Sequence, residues 1–257
     1  MRVHPGELSD VTRYLENNRD VPLEQKEPEF RNYLRLIERF KHVDPSISML
    51  EIGTGTGWFP ILCQAKGLRC KGLEISAQLV DFARWYGRRY NAEPDIELGN
   101  IEEADLAAGC YDVIIAHSVF EHIECWRPAL RRIYQALKPG GVFLFSSTNK
   151  FAFHSGEYDF PLYGWLPNAW RYRLRIARQG ADIMKLGIDF NQFTYPGLRR
   201  ALHQAGFSRI IDRVQMAEPD PDTHLLKRIV LVGAKAFAPL RHLALLVSDA
   251  TIFVCIK

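Results

Sequence analysis

A glycine-rich turn, LEIGTGTGWF at positions 50–59, has the residue types and spacing that best fit a ligand site. Gly53, Gly55 and Gly57 alternate directly behind an apolar run, although glycine is disfavoured inside strands and helices. Such a loop is either a plain strand-to-helix turn or a place where the backbone approaches a bound molecule. A helix that begins after the loop would direct its free N–H groups at a carboxylate or phosphate.

Two common phosphate-binding motifs do not fit this loop. The dinucleotide fingerprint needs a third glycine at position 58 or, one frame later, at position 60, where the sequence has Trp58 and Pro60. No Gly-Lys-Ser/Thr triplet follows, which excludes a P-loop. An NAD-type oxidoreductase is therefore a disfavoured alternative.

Alternating strands and helices surround the loop. The apolar runs ISMLEIG, RCKGLEIS, DIELGN, YDVIIAHS and GVFLFSST predict strands, and the stretches between them have helical periodicity. This alternation predicts a parallel sheet with helices on both faces, whose ligand-binding edge lies at the carboxyl ends of the strands. The helix WRPALRRIYQALKPGG is predicted to stop at Pro139-Gly140-Gly141.

Two parts of the chain depart from this alternation of strands and helices. Residues 1–45 are predicted to form a polar helical segment, and residues 46–257 the main domain. Residues 150–192 are rich in aromatic residues, Pro and Arg and have no obvious strand, which predicts a lid-like insertion after the fifth strand. The helix YPGLRRALHQAGF and the strands FSRIIDRV and ATIFVCIK complete the prediction.

The composition fits a globular α/β protein. Of the 257 residues 47% are hydrophobic, enough for a sizeable core, and a net charge of +3 without a dense basic stripe offers little to a nucleic-acid backbone. Five scattered cysteines without a C-x-x-C pair argue against a disulfide framework and a zinc site. The first 30 residues contain no apolar core of the signal-peptide type. We therefore expect a cytoplasmic protein without a nucleic-acid partner.

The spacing E-x-G-x-G-x-G, which begins at Glu51, resembles the first motif of the class I S-adenosylmethionine-dependent methyltransferases. The resemblance continues in order over residues 45–150, through the acid Glu74, the pair Asn100 and Ile101, the strand YDVIIAHSVFEHI and the turn ALKPGGVFLFSSTN. Within this family, the sequence is similar to the small-molecule members of the ubiquinone-biosynthesis type. The resemblance implies a Rossmann-like methyltransferase fold with a seven-stranded, mostly parallel sheet, and S-adenosyl-L-methionine as cofactor.

The resemblance also implies roles for the matching residues. Glu74 would accept hydrogen bonds from both ribose hydroxyls, and Asn100, where the family usually has Asp, would accept one from the adenine amino group. The methionine carboxylate would lie over the glycine loop, with its amino group oriented by Glu51 and the His117 carbonyl. The implied cofactor-binding residues are Glu51, Gly53, Thr54, Gly55, Gly57, Glu74, Ile75, Asn100, Ile101 and His117.

The loop after the fourth strand supplies the candidate catalytic residues Glu121 and His122. A Glu-His pair is common in small-molecule members of the family, and a base near the methyl group helps when the acceptor is a hydroxyl or an ammonium. His122 either acts as that base or packs beneath the loop. Ser118 stands where quinone O-methyltransferases have a further acid that helps to bind a metal, so no metal is predicted.

Missing motifs narrow the acceptor. The loop lacks the Asn/Asp-Pro-Pro-aromatic run of amino-methylating nucleic-acid enzymes and the paired acids of protein arginine methyltransferases. We therefore expect a small or lipid-like acceptor methylated on oxygen. A non-catalytic module that binds S-adenosylmethionine is the other reading, because the family has no obligatory catalytic residue.

Two further segments have open interpretations. The polar and aromatic residues of the insertion either line the acceptor site or pack the lid onto the body; they are Tyr158, Asp159, Tyr163, Trp165, Trp170 and Tyr172. The apolar stretch 225–247, interspersed with Lys227, Arg228, Lys235 and Arg241, either lies on a membrane surface or covers the insertion.

Overall fold

The computed structural model describes residues 11–154, 160–179, 190–218 and 225–257. Within these ranges, seven strands form one sheet in the order β3-β2-β1-β4-β5-β7-β6. The strands are β1 (Ser48–Ile52), β2 (Arg69–Glu74), β3 (Ile96–Leu98), β4 (Tyr111–His117), β5 (Leu137–Thr148), β6 (Arg209–Asp212) and β7 (Ala250–Ile256).

The sheet has the predicted mixed topology. Strands β1 to β5 pair in parallel, and β7 runs antiparallel to both β5 and β6. This confirms the predicted α/β fold with its antiparallel last strand. The helices in the described ranges are α1 (Thr12–Arg19), α2 (Glu27–Glu38), α3 (Trp58–Ala65), α4 (Ala77–Arg88), α5 (Trp126–Ala136), α6 (Asn168–Gln179), α7 (Tyr195–Ala205), α8 (Arg213–Met216), α9 (Leu225–Ala236) and α10 (Ala238–Leu246).

Both faces of the central strands are buried. Successive side chains of a strand point to opposite faces, and accordingly Ile114 belongs to one apolar cluster while Val113 and Ile115 belong to another. All three side chains are fully buried. The sheet is therefore a middle layer between two apolar cores, which fixes the ends of its strands in place.

Helix α5 ends earlier than the predicted stop at Pro139-Gly140-Gly141. Its last residue is Ala136, because Leu137 already pairs with Tyr111 as the first residue of β5. Helices commonly end at or before the residue that precedes a proline, since the proline ring disfavours helical backbone there.

The insertion between β5 and α7 is described in part. Its described residues include a short 3-10 helix, Tyr163–Trp165, and helix α6. The two ends of the insertion meet, since the Lys150 N–H donates to the Phe193 carbonyl at 2.7 Å. Tyr158 and Asp159, which the sequence predicts either to line the acceptor site or to pack the lid, lie outside the described residues.

The glycine that precedes α3 gives a first prediction, on stability. Gly57 has a φ of +75°, and an added Cβ would lie 2.6 Å from the Ala83 Cβ, whereas Gly67 has a similar φ of +71° with nothing within 4 Å. Gly57→Ala should therefore lower the free energy of unfolding by about 2–3 kcal/mol, from backbone strain plus overpacking, and Gly67→Ala by about 1 kcal/mol from backbone strain alone. Urea unfolding measures both; equal losses would mean that packing does not require this glycine.

Candidate functional site

The ends of four neighbouring strands bring the predicted polar residues together. Glu51 lies in β1 and Glu74 ends β2, while Asn100 follows β3 and His117 ends β4. Because β3, β2, β1 and β4 are adjacent and parallel, these residues share the carboxyl edge of the sheet. The juxtaposition agrees with the sequence-based prediction of a site at this edge.

The three positions of the loop require glycine for different physical reasons. An added Cβ at Gly53 would overlap the Val119 side chain, and one at Gly57 would overlap that of Ala83, so packing within the protein requires both glycines. At Gly55, with a φ of +55°, the nearest group would be a tyrosine hydroxyl at 3.2 Å. Packing within the protein therefore accounts for Gly53 and Gly57, and Gly55 is the position that fits close approach of a ligand.

Glu74 is the carboxylate that holds the loop against β2. Its Oε2 accepts the Gly55 N–H at 2.8 Å and its Oε1 accepts the Ser76 N–H at 3.0 Å. The side chain is buried, and that burial raises its pKa above the ordinary value, although the backbone donors work in the opposite direction. Each oxygen keeps a second acceptor direction, so the carboxylate can bind a further pair of hydroxyl donors.

Glu51 is a second buried carboxyl group on the same edge. Its Oε2 accepts the Thr54 hydroxyl. Burial raises the pKa of Glu51 from 4.5 to about 8, and the hydrogen bond from Thr54 opposes that shift. Burial therefore favours the protonated form of Glu51 at neutral pH, and a cationic group beside this residue would lower its pKa.

The raised pKa of Glu51 gives a second prediction, on pH. The folded state keeps this proton up to about pH 8, whereas the unfolded chain loses it near 4.5, so the contribution of Glu51 to stability falls as pH rises through that window. Between about pH 6 and pH 7.5 the wild type should lose roughly 2 kcal/mol of unfolding free energy relative to Glu51→Gln, at up to about 1.4 kcal/mol per pH unit. Denaturant unfolding at both pH values measures this difference; parallel pH dependences would show that Glu51 is ionised in the folded state.

The residues after β3 form a tight turn. The Asn100 Oδ1 accepts the Glu102 N–H at 2.9 Å, and the Asn100 carbonyl accepts the Ala104 N–H at 2.7 Å. Ile101 is buried in the core cluster that includes Leu73. Asn100 thus stabilises the turn through its side chain, and its Oδ1 can still accept one further hydrogen bond from a ligand.

Helix α1 places Tyr14, a residue that was not predicted from the sequence, over the glycine loop. The Tyr14 hydroxyl is the group 3.2 Å from an added Cβ at Gly55. Burial is the main cause that raises the pKa of Tyr14 to about 12, and nearby carboxylates add to it; these belong to Glu74, Glu51 and Glu29. The hydroxyl therefore stays protonated and can donate a hydrogen bond across the site.

Helix α2 adds an acid and a second tyrosine next to β4. The Tyr33 hydroxyl donates to the Glu29 Oε1 at 3.1 Å, and the same oxygen lies 3.7 Å from the His117 Nε2. The Tyr33 and His117 rings are 5.4 Å apart. Burial raises the pKa of Tyr33, and Glu29 contributes to the same shift. The N-terminal segment thus forms one wall of the candidate site. The sequence shows that Glu29 and Tyr33 share a helix face, at i, i+4 spacing, but not which element that face contacts.

The loop after β4 is held by buried hydrogen bonds. Ser118 has a φ of +50°, a strained conformation for a residue with a side chain. Glu121 is fully buried, and its Oε2 accepts the Ser147 hydroxyl at 2.7 Å. At the far end of the insertion, the Asn191 amide donates to the carbonyls of Phe120 and Ile123 at 3.2 and 2.7 Å.

The two candidate catalytic residues differ in how deeply they are buried. Glu121 is enclosed beneath the loop, a location that suits positioning of the loop rather than contact with an acceptor. His122, the last residue of the 3-10 helix Phe120–His122, is only half-buried. Among the residues that the structure describes, there is no group of three or more His, Cys, Asp or Glu placed to hold a metal ion.

Sequence comparisons relate this chain to known methyltransferases. A family model described as a methyltransferase domain matches residues 24–210. The chain is 31% identical over 149 residues to a protein of Mycolicibacterium smegmatis named "Probable S-adenosylmethionine-dependent methyltransferase", covering 58% of this chain and 56% of that protein. It is 29% identical over 150 residues to the ubiquinone biosynthesis O-methyltransferase of Erwinia tasmaniensis, with the same coverage of 58% and 56%. The matches thus span about half the length of these relatives.

A third relative and two solved structures extend the comparison. The malonyl-[acyl-carrier protein] O-methyltransferase of Serratia marcescens is 30% identical over 103 residues, which cover 40% of this chain and 39% of that protein. Phosphoethanolamine N-methyltransferase 2 of Haemonchus contortus superposes with a TM-score of 0.61 at 16% identity, covering all of this chain and 60% of that one. An S-adenosylmethionine-dependent methyltransferase of Archaeoglobus fulgidus has a TM-score of 0.56 at 14% identity, with coverage of 96% and 100%. At these identities the structural likeness shows the fold.

Proposed function

We propose that this chain, which belongs to the class I S-adenosylmethionine-dependent methyltransferases, methylates an oxygen atom of a small or lipophilic acceptor. The observation that carries the proposal is the meeting of Glu51, Gly55 and Glu74 at the carboxyl edge of the sheet. The choice of oxygen is supported by two relatives that are named as O-methyltransferases, one of ubiquinone biosynthesis and one of malonyl-[acyl-carrier protein].

The residues at this edge fit S-adenosylmethionine. Gly55 has a positive φ and no side chain, and the Tyr14 hydroxyl is the nearest group above its backbone. A ligand carboxylate can therefore approach the backbone there and accept a hydrogen bond from that hydroxyl. We assign the methionine end to Glu51 and the loop of Gly53, Thr54, Gly55 and Gly57, with the His117 carbonyl. The ribose and adenine are assigned to Glu74, Ile75, Asn100 and Ile101.

The chemistry divides between cofactor and protein. When bound, S-adenosylmethionine supplies a methyl group on a positively charged sulfur, which an acceptor oxygen can attack in line. The chain orients the two reactants and excludes water, effects that can account for much of a methyl-transfer rate. In this proposal Tyr14 covers the methionine end, and the His122 imidazole receives the proton that the acceptor oxygen loses. Glu121, through Ser147, holds the loop that carries His122.

We propose that the insertion, residues 150–192, acts as a lid over the acceptor within a domain of residues 46–257. Tyr163 is a packing residue of this lid, because its buried ring stacks on Phe160 at 5.9 Å and lies 5.3 Å from the Arg171 guanidinium. Trp165 and Trp170 are 45% and 66% exposed, so their rings are available to contact an apolar acceptor.

A labelled-methyl assay tests the proposal. The chain is incubated with methyl-labelled S-adenosylmethionine and three acceptor classes: phenols with an isoprenoid or alkyl tail, acyl thioesters with a free carboxylate, and primary amines. We expect label on oxygen in one of the first two classes, located by mass spectrometry of the product. Label on nitrogen alone would contradict O-methylation, and tight cofactor binding without turnover in any class would favour a non-catalytic binding module.

A further inference from the structure

Helices α9 and α10 expose an apolar surface. Leu225, Ile229 and Val232 lie at helical spacing on α9, and their side chains are 66%, 57% and 56% exposed. Phe237, at the junction of the two helices, is 60% exposed, and Leu243 on α10 is 58% exposed. An exposed apolar stripe along one face of a helix, as on α9, is typical of an interaction surface.

The two helices meet at a sharp angle. None of the helices within the described ranges could span a bilayer by itself. Arg228–Ala236 and Ala238–Leu246 reach a spanning length and an apolar composition only together, across a bend of 120°. Pro239 stands in the first turn of α10, where proline is well tolerated, so the bend is part of the local structure. A bent apolar pair presents an elbow, with Phe237 at its tip.

Cationic residues surround this elbow. Residues 225–247 contain four Lys or Arg and no Asp or Glu, and helix α7 carries Arg199 and Arg200 with no acid. Between α7 and α10 lies an open cleft of about 640 Å³, whose lining includes Arg199, Arg200, His203, Ala238, Arg241 and His242. One of the lining cations, Arg241, has an acidic partner, since its Nε lies 3.7 Å from the Asp212 Oδ2. The cleft therefore has the chemistry of a site for a phosphate group.

We propose that the surface formed by α9, α10 and the α7–α10 cleft docks on an anionic lipid bilayer. The exposed apolar side chains insert at the depth of the headgroup and acyl boundary, and the cleft receives a lipid phosphate. Stable peripheral binding commonly combines such apolar insertion with attraction between basic residues and anionic headgroups. The Ala238 contact makes the cleft continuous with the elbow at Phe237.

Charge distinguishes this partner from a second copy of the chain. A two-fold dimer through this face would place the same basic residues opposite one another, and like charges in contact are unfavourable. An anionic bilayer is complementary to both the charge and the apolar character of the surface. Docking would also bring the site to a lipophilic acceptor, but the inference rests on the surface itself and not on the atom that is methylated.

Vesicle co-sedimentation of the chain provides the test. The probes are vesicles of phosphatidylcholine alone and of phosphatidylcholine mixed with phosphatidylglycerol. We expect binding to the mixed vesicles, weakened by at least about tenfold in Ile229→Ser/Phe237→Ser. Arg199→Ala/Arg200→Ala should weaken it by about fivefold for each charge. Leu98→Ser and Arg88→Ala change an exposed apolar and an exposed basic residue elsewhere and should bind as the wild type does.

Several outcomes would overturn the proposal. These are no binding to anionic vesicles, equal binding to both vesicle types, or binding that neither double variant weakens. A wild-type dimer in sedimentation velocity that Ile229→Ser/Phe237→Ser converts to monomer would instead assign the surface to self-association. Cofactor affinity, measured in the same variants, should be unchanged, which separates failure of membrane docking from failure of the methyltransferase proposal.

Discussion

Replacing Gly55 with valine should abolish measurable binding of S-adenosylhomocysteine, a loss of roughly 1,000-fold or about 4 kcal/mol. In the proposed site the methionine carboxylate lies directly over this residue, and a branched side chain would take its space. Apart from the Tyr14 hydroxyl, 3.2 Å from an added Cβ, the space beside this position is open, so a valine side chain would occupy the volume proposed for the ligand carboxylate. Binding is measured by calorimetry.

A matched glycine controls for backbone strain. Gly67 has a φ of +71°, close to the +55° of Gly55, and lies in open space, so Gly67→Val has a similar conformational cost without approaching the site. It should bind S-adenosylhomocysteine normally. Gly55→Ala is a milder variant in case the valine protein does not fold, and it should lose at least about tenfold. Methylthioadenosine, which lacks the methionine carboxylate, should bind both Gly55 variants nearly as well as it binds the wild type. A folded Gly55→Val protein with normal affinity for S-adenosylhomocysteine would place the methionine end elsewhere.

Glu74→Ala should weaken the same ligand by at least about 100-fold. Hydrogen bonds to a charged group contribute about 1.5–3 kcal/mol each, and the proposed ribose contact has two of them. The carboxylate also accepts the backbone N–H groups of Gly55 and Ser76, so its loss loosens the loop as well. Unlike the Gly55 variants, this protein should bind methylthioadenosine poorly too.

A deoxyribose analogue separates the two effects of Glu74. The wild type should bind 2′,3′-dideoxy-methylthioadenosine, which lacks both hydroxyls, weakly, and Glu74→Ala should add little further loss, because both proposed hydroxyl contacts are already gone. Glu97→Ala, in the neighbouring strand and paired with Lys71 at 2.6 Å, controls for the removal of a carboxylate near this edge. An equal loss with both sugars would mean that Glu74 acts through the loop and not on the ribose.

The sheet and its edge could be predicted because their signals are local. The alternation of apolar runs and helical stretches gives the parallel strands, and parallel strands bring Glu51, Glu74 and Asn100 to one edge without further information. The end of α5 was less predictable, since the pairing of Leu137 with Tyr111 is a contact between distant parts of the sequence.

The wall of the site formed by the N-terminal helices lay beyond such reasoning. Tyr14 meets the Gly55 loop, and Glu29 meets His117, across long stretches of sequence and through helix packing alone. The glycine motif therefore does not predict that Tyr14 and Glu29 lie beside the site. The different reasons for the glycines could not be predicted either. Val119 and Ala83, whose packing requires Gly53 and Gly57, belong to other parts of the chain.

Calorimetric titration of the chain with S-adenosylhomocysteine, S-adenosylmethionine and NAD tests the central claim most directly. The account predicts micromolar affinity, about −8 kcal/mol, for both sulfur-containing ligands and no heat of binding with NAD. The same titration in Gly55→Val links that affinity to the strand edge. Tight binding of NAD by a chain that does not respond to either sulfur-containing ligand would contradict the account.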